Sequence, residues 1–432
     1  MVLRPWRFAC FLAATFLAIV LLRERSWSTT TSRWTESSFA SDGADQEIDL
    51  DDIEQLDGLT AAECTAHFPD LYAEVDRAVN YWKDQDHLIT PETVNVSWQQ
   101  DGALRFLIHG NELRILEDRQ SSDNWRYHER TVGQMSLIQR AIDSATAGGE
   151  MLPTIEASIA FMDKVQPYSK LDNHSLWMVG RLKIEPRHDR LWLMPNFDFW
   201  YDRGFGTYRE ARRRAMSYDA PFSDKIQKLV WRGSEWVQRD VRGSLLKVTE
   251  KKPWADVLRT DLDDTAEKKR RKMKPAEMCK YAALAHTEGI SYSGRLEFIL
   301  LCNSLPVVHD LNWIVWYSHL LQPDGPRQNY IPVHRNFSNL ETQMTHYLEH
   351  PDQAETIIAN SLNTFRNKYL TRAAQSCYIR RLIQGYSQVS FEPDPYRSSK
   401  EGGSTTALRG RSFEKYLNAP KTGDYEDDDV WI

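Results

Sequence analysis

Residues 226–235 read Ile226-Gln-Lys-Leu-Val-Trp-Arg-Gly-Ser-Glu235. Ile226–Trp231 has the composition of a strand, and Gly233 breaks it. The strand delivers Trp231, Arg232, Gly233 and Ser234 into a turn, and Arg239 and Arg242 follow at the next helical turn. Further on, helical patterns alternate with Leu305–His309, a buried-strand run opened by a Leu-Pro step. Upstream, Ile155, Ala157, Ile159 and Phe161 alternate in a strand that ends at Asp163. Val94–Trp98, Ala103–Ile108 and Leu113–Leu116 read as short strands, with His109-Gly110-Asn111 as a hairpin turn. Leu71, Val75, Val79 and Trp82 recur at helical spacing, and three helical stretches follow Asn339. Strands alternating with helices predict an α/β architecture with parallel sheets in two lobes.

The flanks of this body differ from it. Phe8–Leu22 is an apolar run in which Thr15 is the only hydroxyl, with Arg4 and Arg7 ahead of it. Arg23-Glu-Arg-Ser-Trp27 lacks a small-x-small cleavage pattern, so a signal-anchor over 6–22 is preferred to a cleaved signal peptide. The basic N-terminal flank keeps residues 1–5 cytosolic and sends the body into the lumen. The expected address is therefore the Golgi or endoplasmic reticulum membrane, single-pass type II. Residues 23–60 read as a disordered stem: Ser/Thr-rich from Ser26 to Ser38, then eight acidic residues from Asp42 to Asp57. Residues 393–432 read as a disordered acidic tail. Between them, 61–225 form an N-terminal lobe and 226–392 a C-terminal lobe.

Composition excludes several classes of function. Of 432 residues, 41% are hydrophobic, enough to bury a core and exclude a wholly disordered chain. A mean hydropathy of −0.57 excludes a multi-pass membrane protein. Acidic residues outnumber Lys+Arg by 61 to 54, a net charge of −7, so a protein built to grip nucleic acid is not expected. Of five Cys, Cys10 lies in the expected span; Cys64, Cys279, Cys302 and Cys377 allow three pairings in an oxidising lumen. Sequons stand at Asn95, Asn173 and Asn336, candidates for N-glycosylation.

Three constellations have the residues for chemistry. Asp163 closes a strand, where partial desolvation makes a carboxylate a better base. Arg232 offers a bidentate fork for phosphate, and Gly233 permits close backbone approach. In Gly289-Ile-Ser-Tyr-Ser-Gly-Arg295, Ser291 or Ser293 can cap a helix opened by Gly294-Arg295, a suitable anion site. Each also has a plain structural reading: a turn acid, a surface ion pair, a capped helix. The basic run Lys268-Lys-Arg-Arg-Lys-Met-Lys274 reads as a solvated helix face. The Asp-x-Asp triplets at Asp49, Asp84 and Asp261 close no hydrophobic strand and read as acidic surface. No zinc-binding spacing of Cys or His occurs.

Together these segments resemble the capsule-associated-protein family of glycosyltransferases, which includes the Rumi-like protein O-glucosyltransferases and fungal xylosyltransferases. The resemblance covers roughly residues 150–390. It rests on Leu152-Pro-Thr-Ile-Glu156 with Met162-Asp163, on Lys228-Leu-Val-Trp-Arg-Gly-Ser234 with Arg239, and on Gly289-Ile-Ser-Tyr-Ser-Gly-Arg-Leu296. Leu300-Leu-Cys-Asn-Ser-Leu-Pro-Val-Val308, Trp313, Trp316-Tyr317, Leu321-Gln-Pro323 and Tyr330-Ile-Pro-Val333 complete it. The resemblance implies a GT-B-like fold, two Rossmann-like lobes with the donor site in the cleft. It implies an inverting enzyme that needs no metal or other cofactor, with a UDP-sugar as donor and a glycan or glycoprotein as acceptor. Asp163 matches the family's catalytic base. Arg232, Arg239, Ser293 and Arg295 match positions facing the diphosphate, with Gly233, Ser234 and Gly294 beside them. Thr154, Glu288 and Asn329 depart from the family pattern at positions expected to touch substrate identity, and Pro167 follows Asp163 later than usual. The rivals are a lumenal glycoside hydrolase, with Glu156 or Glu297 beside Asp163, and a non-catalytic glycan-binding protein.

Overall fold

The computed structural model describes residues 57–86, 88–121, 127–201, 206–261, 271–398, 404–418 and 423–424. The chain divides into two compact units, Met1–Glu47 and Ile48–Ile432. The first unit, with the expected anchor at 6–22 and Cys10, lies outside the described residues, as does the stem up to residue 56 and its Asp49 triplet. Among the described residues no helix is long and apolar enough to cross a membrane.

Two helices lead. In α1 (Ala61–His67) the cap Thr60 and Glu63 form a reciprocal capping box. In α2 (Ala73–Lys83) the periodic Val75, Val79 and Trp82 are the buried face. Val94–Trp98, expected as a strand, forms turns instead. The Asn95 side chain accepts from the Ser97 amide at 2.6 Å, a local bond that competes with strand pairing, and Val94 and Val96 plug the core. The next segment, β1 (Ala103–His109), pairs antiparallel with β2 (Glu112–Arg119), His109 facing Glu112. Gly110 and Asn111 have φ of 58° and 59°, the left-handed pair that a two-residue hairpin requires.

After α3 (His128–Ala147) come β3 (Ile155–Ala160), β4 (Leu176–Met178), β5 (Arg181–Leu182) and β6 (Leu191–Leu193). The first sheet runs β2-β1-β3-β4-β6. Its β3, β4 and β6 are parallel, but β1 is antiparallel to both β2 and β3. This lobe is therefore mixed rather than the parallel Rossmann-like lobe expected, because a tight hairpin forces antiparallel neighbours.

The second lobe meets the expectation. After α4 (Tyr208–Met216) it contains β7 (Ile226–Gly233), α5 (Arg239–Thr249), β8 (Ala255–Arg259), β9 (Tyr281–Ala285), α6 (Arg295–Ile299), β10 (Leu305–His309), β11 (Trp313–Ile314) and β12 (Ile331–Val333). Five of these strands form a wholly parallel sheet in the order β8-β7-β9-β10-β12. Along β7, Leu229 and Trp231 enter one core cluster and Val230 another, so both faces of the sheet are covered. The short β11 pairs antiparallel with β5, joining the lobes.

Three helices follow: α7 (Leu340–Glu349), α8 (Pro351–Ser361) and α9 (Arg372–Ser387). Leu340, Met344, Ile357 and Ile358 of the first two pack with Leu229 and Trp231 on the second sheet. By contrast, α9 crosses back: Tyr378, Leu382 and Tyr386 share a cluster with Trp177 and Trp192, and the Tyr378 hydroxyl donates to the Leu193 carbonyl. Part of the expected C-terminal lobe thus completes the first one. Disulfides join Cys64 to Cys377 and Cys279 to Cys302, one of the three pairings open from sequence.

The expected tail is also partly structured. It supplies β13 (Tyr396–Ser398), β14 (Ser404–Leu408), β15 (Arg411–Ser412), α10 (Phe413–Asn418) and β16 (Gly423–Asp424), of which β15 and β16 pair with the outer edge of β2. Phe413 and Tyr416 are buried there, and Arg114 on β2 donates to the carbonyls of Arg409 and Gly410. Two buried aromatics and a covered strand edge explain why this polar segment folds. Residues 425–432 lie outside the described residues.

Candidate active site

In a parallel sheet, ligands bind beyond the carboxyl ends of the strands where strand order reverses. Here that switch point lies between β7, which ends at Gly233, and β9, which ends at Ala285. A cavity of about 940 Å³ opens there, lined by Arg232, Gly233, Ser234, Arg242 and Arg295, with Asp261, Lys272, Lys274 and Trp236 among the rest. A second cavity of about 550 Å³, among Asp70, Asp76, His319 and Arg381, shares no residue with it.

The indole of Trp231 is the floor on which the cations rest. Its Nε1 donates to Thr287 Oγ1 at 3.0 Å, and the guanidiniums of Arg295 and Arg242 lie 5.4 and 6.0 Å from its ring centroid. Gly233 is required by this packing: a Cβ there would stand 2.6 Å from the Trp231 ring and 3.2 Å from Arg295 Nη2. Burial, with Arg242 adding repulsion, pulls the Arg295 pKa down, and its buried Nη1 has no hydrogen-bond partner among the described residues. A cation in that state is stabilised by an arriving anion. Arg242 ties the site together: Nη1 donates to the Ser234 carbonyl at 2.9 Å and Nε to the Glu288 carbonyl at 3.0 Å.

The other expected phosphate ligands separate. Arg232 lines the cavity, but its Nη2 donates to both carboxylate oxygens of Asp256 on β8 at 2.8 Å, its Nη1 donates to the Trp231 and Asp256 carbonyls, and Tyr281 donates to the same carboxylate. It braces the strand ends rather than presenting a free fork. Arg239, exposed at the first position of α5, does not line the cavity. The helix holding Arg295 has five residues with Gly294 as its cap, and neither Ser291 nor Ser293 makes a side-chain cap bond. The anion site is thus made by side chains rather than by a capped helix end. Gly294 is required for another reason: a Cβ there would collide with the carboxylate of Asp198, which comes from the first lobe.

Asp163 approaches from beyond β3. Its carboxylate accepts from Arg130 Nη1 at 3.0 Å and its side chain is 36% exposed, so the expected desolvation is replaced by an ion pair open to solvent. Arg130 also donates to the Phe161 carbonyl and lies 5.2 Å from the Phe197 ring. Tyr292 stands three residues before Arg295. Burial raises its pKa well above normal, Asp198 raises it further, Arg130 opposes, and Glu297 and Asp163 add to the rise. The charges of both lobes therefore converge on the segment that carries Arg295. Glu297 is fully enclosed; burial and Asp198 push its pKa well up, while Trp316 Nε1 donates to it at 3.3 Å. The other carboxylate of the hydrolase reading, Glu156, is held by Arg105 and Arg409.

The three departures from the family pattern make local contacts, and Asn329 also lines the cavity of about 550 Å³. Glu288 accepts from the amides of Asn312 and Trp313 and pairs with Arg335 at 2.7 Å. Asn329 bridges the Gln322 amide and the Leu320 carbonyl. Thr154 bonds His109 at the start of β3, the end opposite Asp163. The expectation that they touch substrate identity has no support in these contacts. Two features set aside from sequence do reach the cavity: Lys272 and Lys274 of the basic run, and Asp261, which accepts from Arg259 and the Glu235 amide. Among the described residues no group of three or more His, Cys, Asp or Glu could hold a metal ion. The sequon residues Asn95, Asn173 and Asn336 are all exposed.

A family model described as Glycosyl transferase family 90 matches residues 188–404, which include the whole second sheet and the strand ends around the cavity. The chain belongs to glycosyl transferase family 90. Asp163 precedes the matched span. Among curated proteins, the chain is 23% identical over 213 residues to an O-glucosyltransferase rumi homolog of Anopheles gambiae, covering 46% of this chain and 52% of the relative. It is 25% identical over 299 residues to Protein O-glucosyltransferase 1 of Mus musculus, covering 65% of this chain and 72% of the relative. A shorter match to Protein O-glucosyltransferase 1 of Homo sapiens is 28% identical over 110 residues, covering 26% and 27%. The chain thus spans about half the length of the mosquito relative it matches.

Proposed function

We propose that this family 90 chain is an inverting glycosyltransferase of GT-B-like architecture. It moves glucose or xylose from a UDP-sugar to a hydroxyl of a glycan or glycoprotein in the secretory pathway, without a metal. The observation that carries this reading is Arg295, a guanidinium whose buried Nη1 has no partner among the described residues, in a cavity at the switch point of a parallel sheet. The names of the relatives favour glucose, and two disulfides fit an oxidising lumen.

In the proposed reaction the acceptor oxygen attacks the anomeric carbon from the face opposite UDP. The new C–O bond forms as the bond to the diphosphate breaks, and the configuration inverts. Asp163 takes the acceptor proton; a well-placed base contributes about 10²–10⁴-fold. Negative charge develops on the leaving diphosphate, and Arg295 with Arg242 stabilises it. The Asp163–Arg130 ion pair, 3.0 Å long, orients the base.

A thermal-shift series with UDP-glucose, UDP-xylose and other UDP-sugars, run with and without EDTA, tests the reading. A stabilising shift with glucose or xylose donors that survives EDTA is expected. No shift with any donor, or a shift that depends on divalent metal, would overturn it.

A further inference from the structure

The donor cavity has a wall that the proposed reaction leaves unused. Lys272 and Lys274 line it, and so does Trp236. Met273 packs against the hydrophobic core while its two lysine neighbours are exposed, so the Lys-Met-Lys segment is anchored with both ammoniums outward. Among the described residues neither ammonium has an ion-pair partner. The acids of the same wall are already engaged: Glu277 accepts from the Lys274 amide at 2.9 Å, and Asp261 is bound by Arg259 and the Glu235 amide.

Trp236 is 63% exposed, whereas Trp82, Trp177, Trp192, Trp231 and Trp316 are fully buried. It stands on the short turn between Gly233 and Gln238, whose φ of 50° opens α5. A flat apolar face presented on a cation-lined cavity suits a flat heterocycle bearing phosphates. The strand-end cations leave room for such help, since Arg232 is committed to Asp256 and Arg242 to two carbonyls.

We infer that Trp236, Lys272 and Lys274 form the nucleotide-recognition wall of the donor site. The indole stacks on the pyrimidine ring, and the two ammoniums neutralise the diphosphate that Arg295 holds from the strand ends. This inference rests on the UDP-sugar reading above. It assigns to two lysines of the basic run the charge compensation that the sequence pattern placed on Arg232 and Arg239.

Isothermal titration of the full chain with UDP, uridine and inorganic pyrophosphate separates the two roles. Trp236→Ala should weaken UDP and uridine about tenfold while leaving pyrophosphate unchanged, and Trp236→Phe should restore most of the loss. Lys272→Gln/Lys274→Gln should weaken UDP and pyrophosphate, spare uridine, and flatten the salt dependence of UDP binding. All of these side chains are at least partly exposed, and circular dichroism would report their folding. If wild type binds UDP but the variants bind all three probes equally well, the inference alone falls. An effect of Trp236→Ala on UDP-sugars but not on uridine also overturns it, because stacking would then be on the sugar. If wild type does not bind UDP, the UDP-sugar reading falls and this inference with it.

Discussion

Arg295 combines burial, a neighbouring Arg242 and an unsatisfied Nη1, a costly state in an unliganded protein. Arg295→Met should therefore weaken UDP binding on the order of tenfold or more, as expected for a lost charge-assisted contact, while leaving the unliganded melting temperature equal or higher. Titration calorimetry and a thermal melt on the same variant check both halves; a lower melting temperature with normal UDP affinity would make Arg295 a structural residue. His188 is a second strained group: burial pushes its pKa from 6.5 to about 4, and its Nδ1 accepts from the Leu182 amide at 2.8 Å. Because the unfolded chain binds this proton more readily, the stability from neutral His188 is present above pH 6.5 and lost as pH falls toward 4. Melting temperature should fall across that window, and His188→Gln should flatten the fall. At this scale Gly233 and Arg295 were legible in sequence, since a strand ending in Gly and a loop ending in Gly-Arg both announce a site. Arg242 was not preferred to Arg239, because the inward face of α5 depends on the sheet it packs against. The bidentate hold on Arg232 was likewise hidden, since Asp256 lies on β8 and sequence does not state that β8 is β7's neighbour.

Among the elements, β3, β7 and β10 and the hairpin of β1 and β2 follow from apolar runs and turn residues that need only local context. The failures have local causes too. Val94–Trp98 alternates like a strand, but Asn95 supplies a competing turn bond. The segment after Pro393 is too polar overall to suggest order, yet Phe413 and Tyr416 put two rings on one side of α10, and both are buried. Tyr416 also donates to Asp118 at 2.9 Å. Tyr416→Ala should cost about 3–5 kcal/mol, the range for deleting a buried large aromatic. Chemical denaturation would show it, and a loss under 1 kcal/mol would mean that α10 contributes little to the fold.

For the whole molecule, the sequence conveyed an α/β body in two lobes and the residues Arg232, Gly233, Ser234 and Arg295 that line one cavity beside the second sheet. It did not convey that the lobes are interleaved, with α9 returning to the first sheet and Cys377 bonded to Cys64. Such long-range closure leaves no periodic mark in the chain. The interleaving brings charges of both lobes to one side chain: Asp198, Arg130 and Asp163 of the first lobe and Glu297 of the second all act on Tyr292. In the proposed reaction Asp163 removes the acceptor proton while the second lobe holds the donor. The direct measurement is UDP release from UDP-glucose and UDP-xylose by wild type and by Asp163→Asn, in EDTA, with UDP affinity measured on the same samples. Asp163→Asn should keep wild-type UDP affinity and lose about 10²–10⁴-fold in turnover. Turnover at the wild-type rate in Asp163→Asn would contradict it.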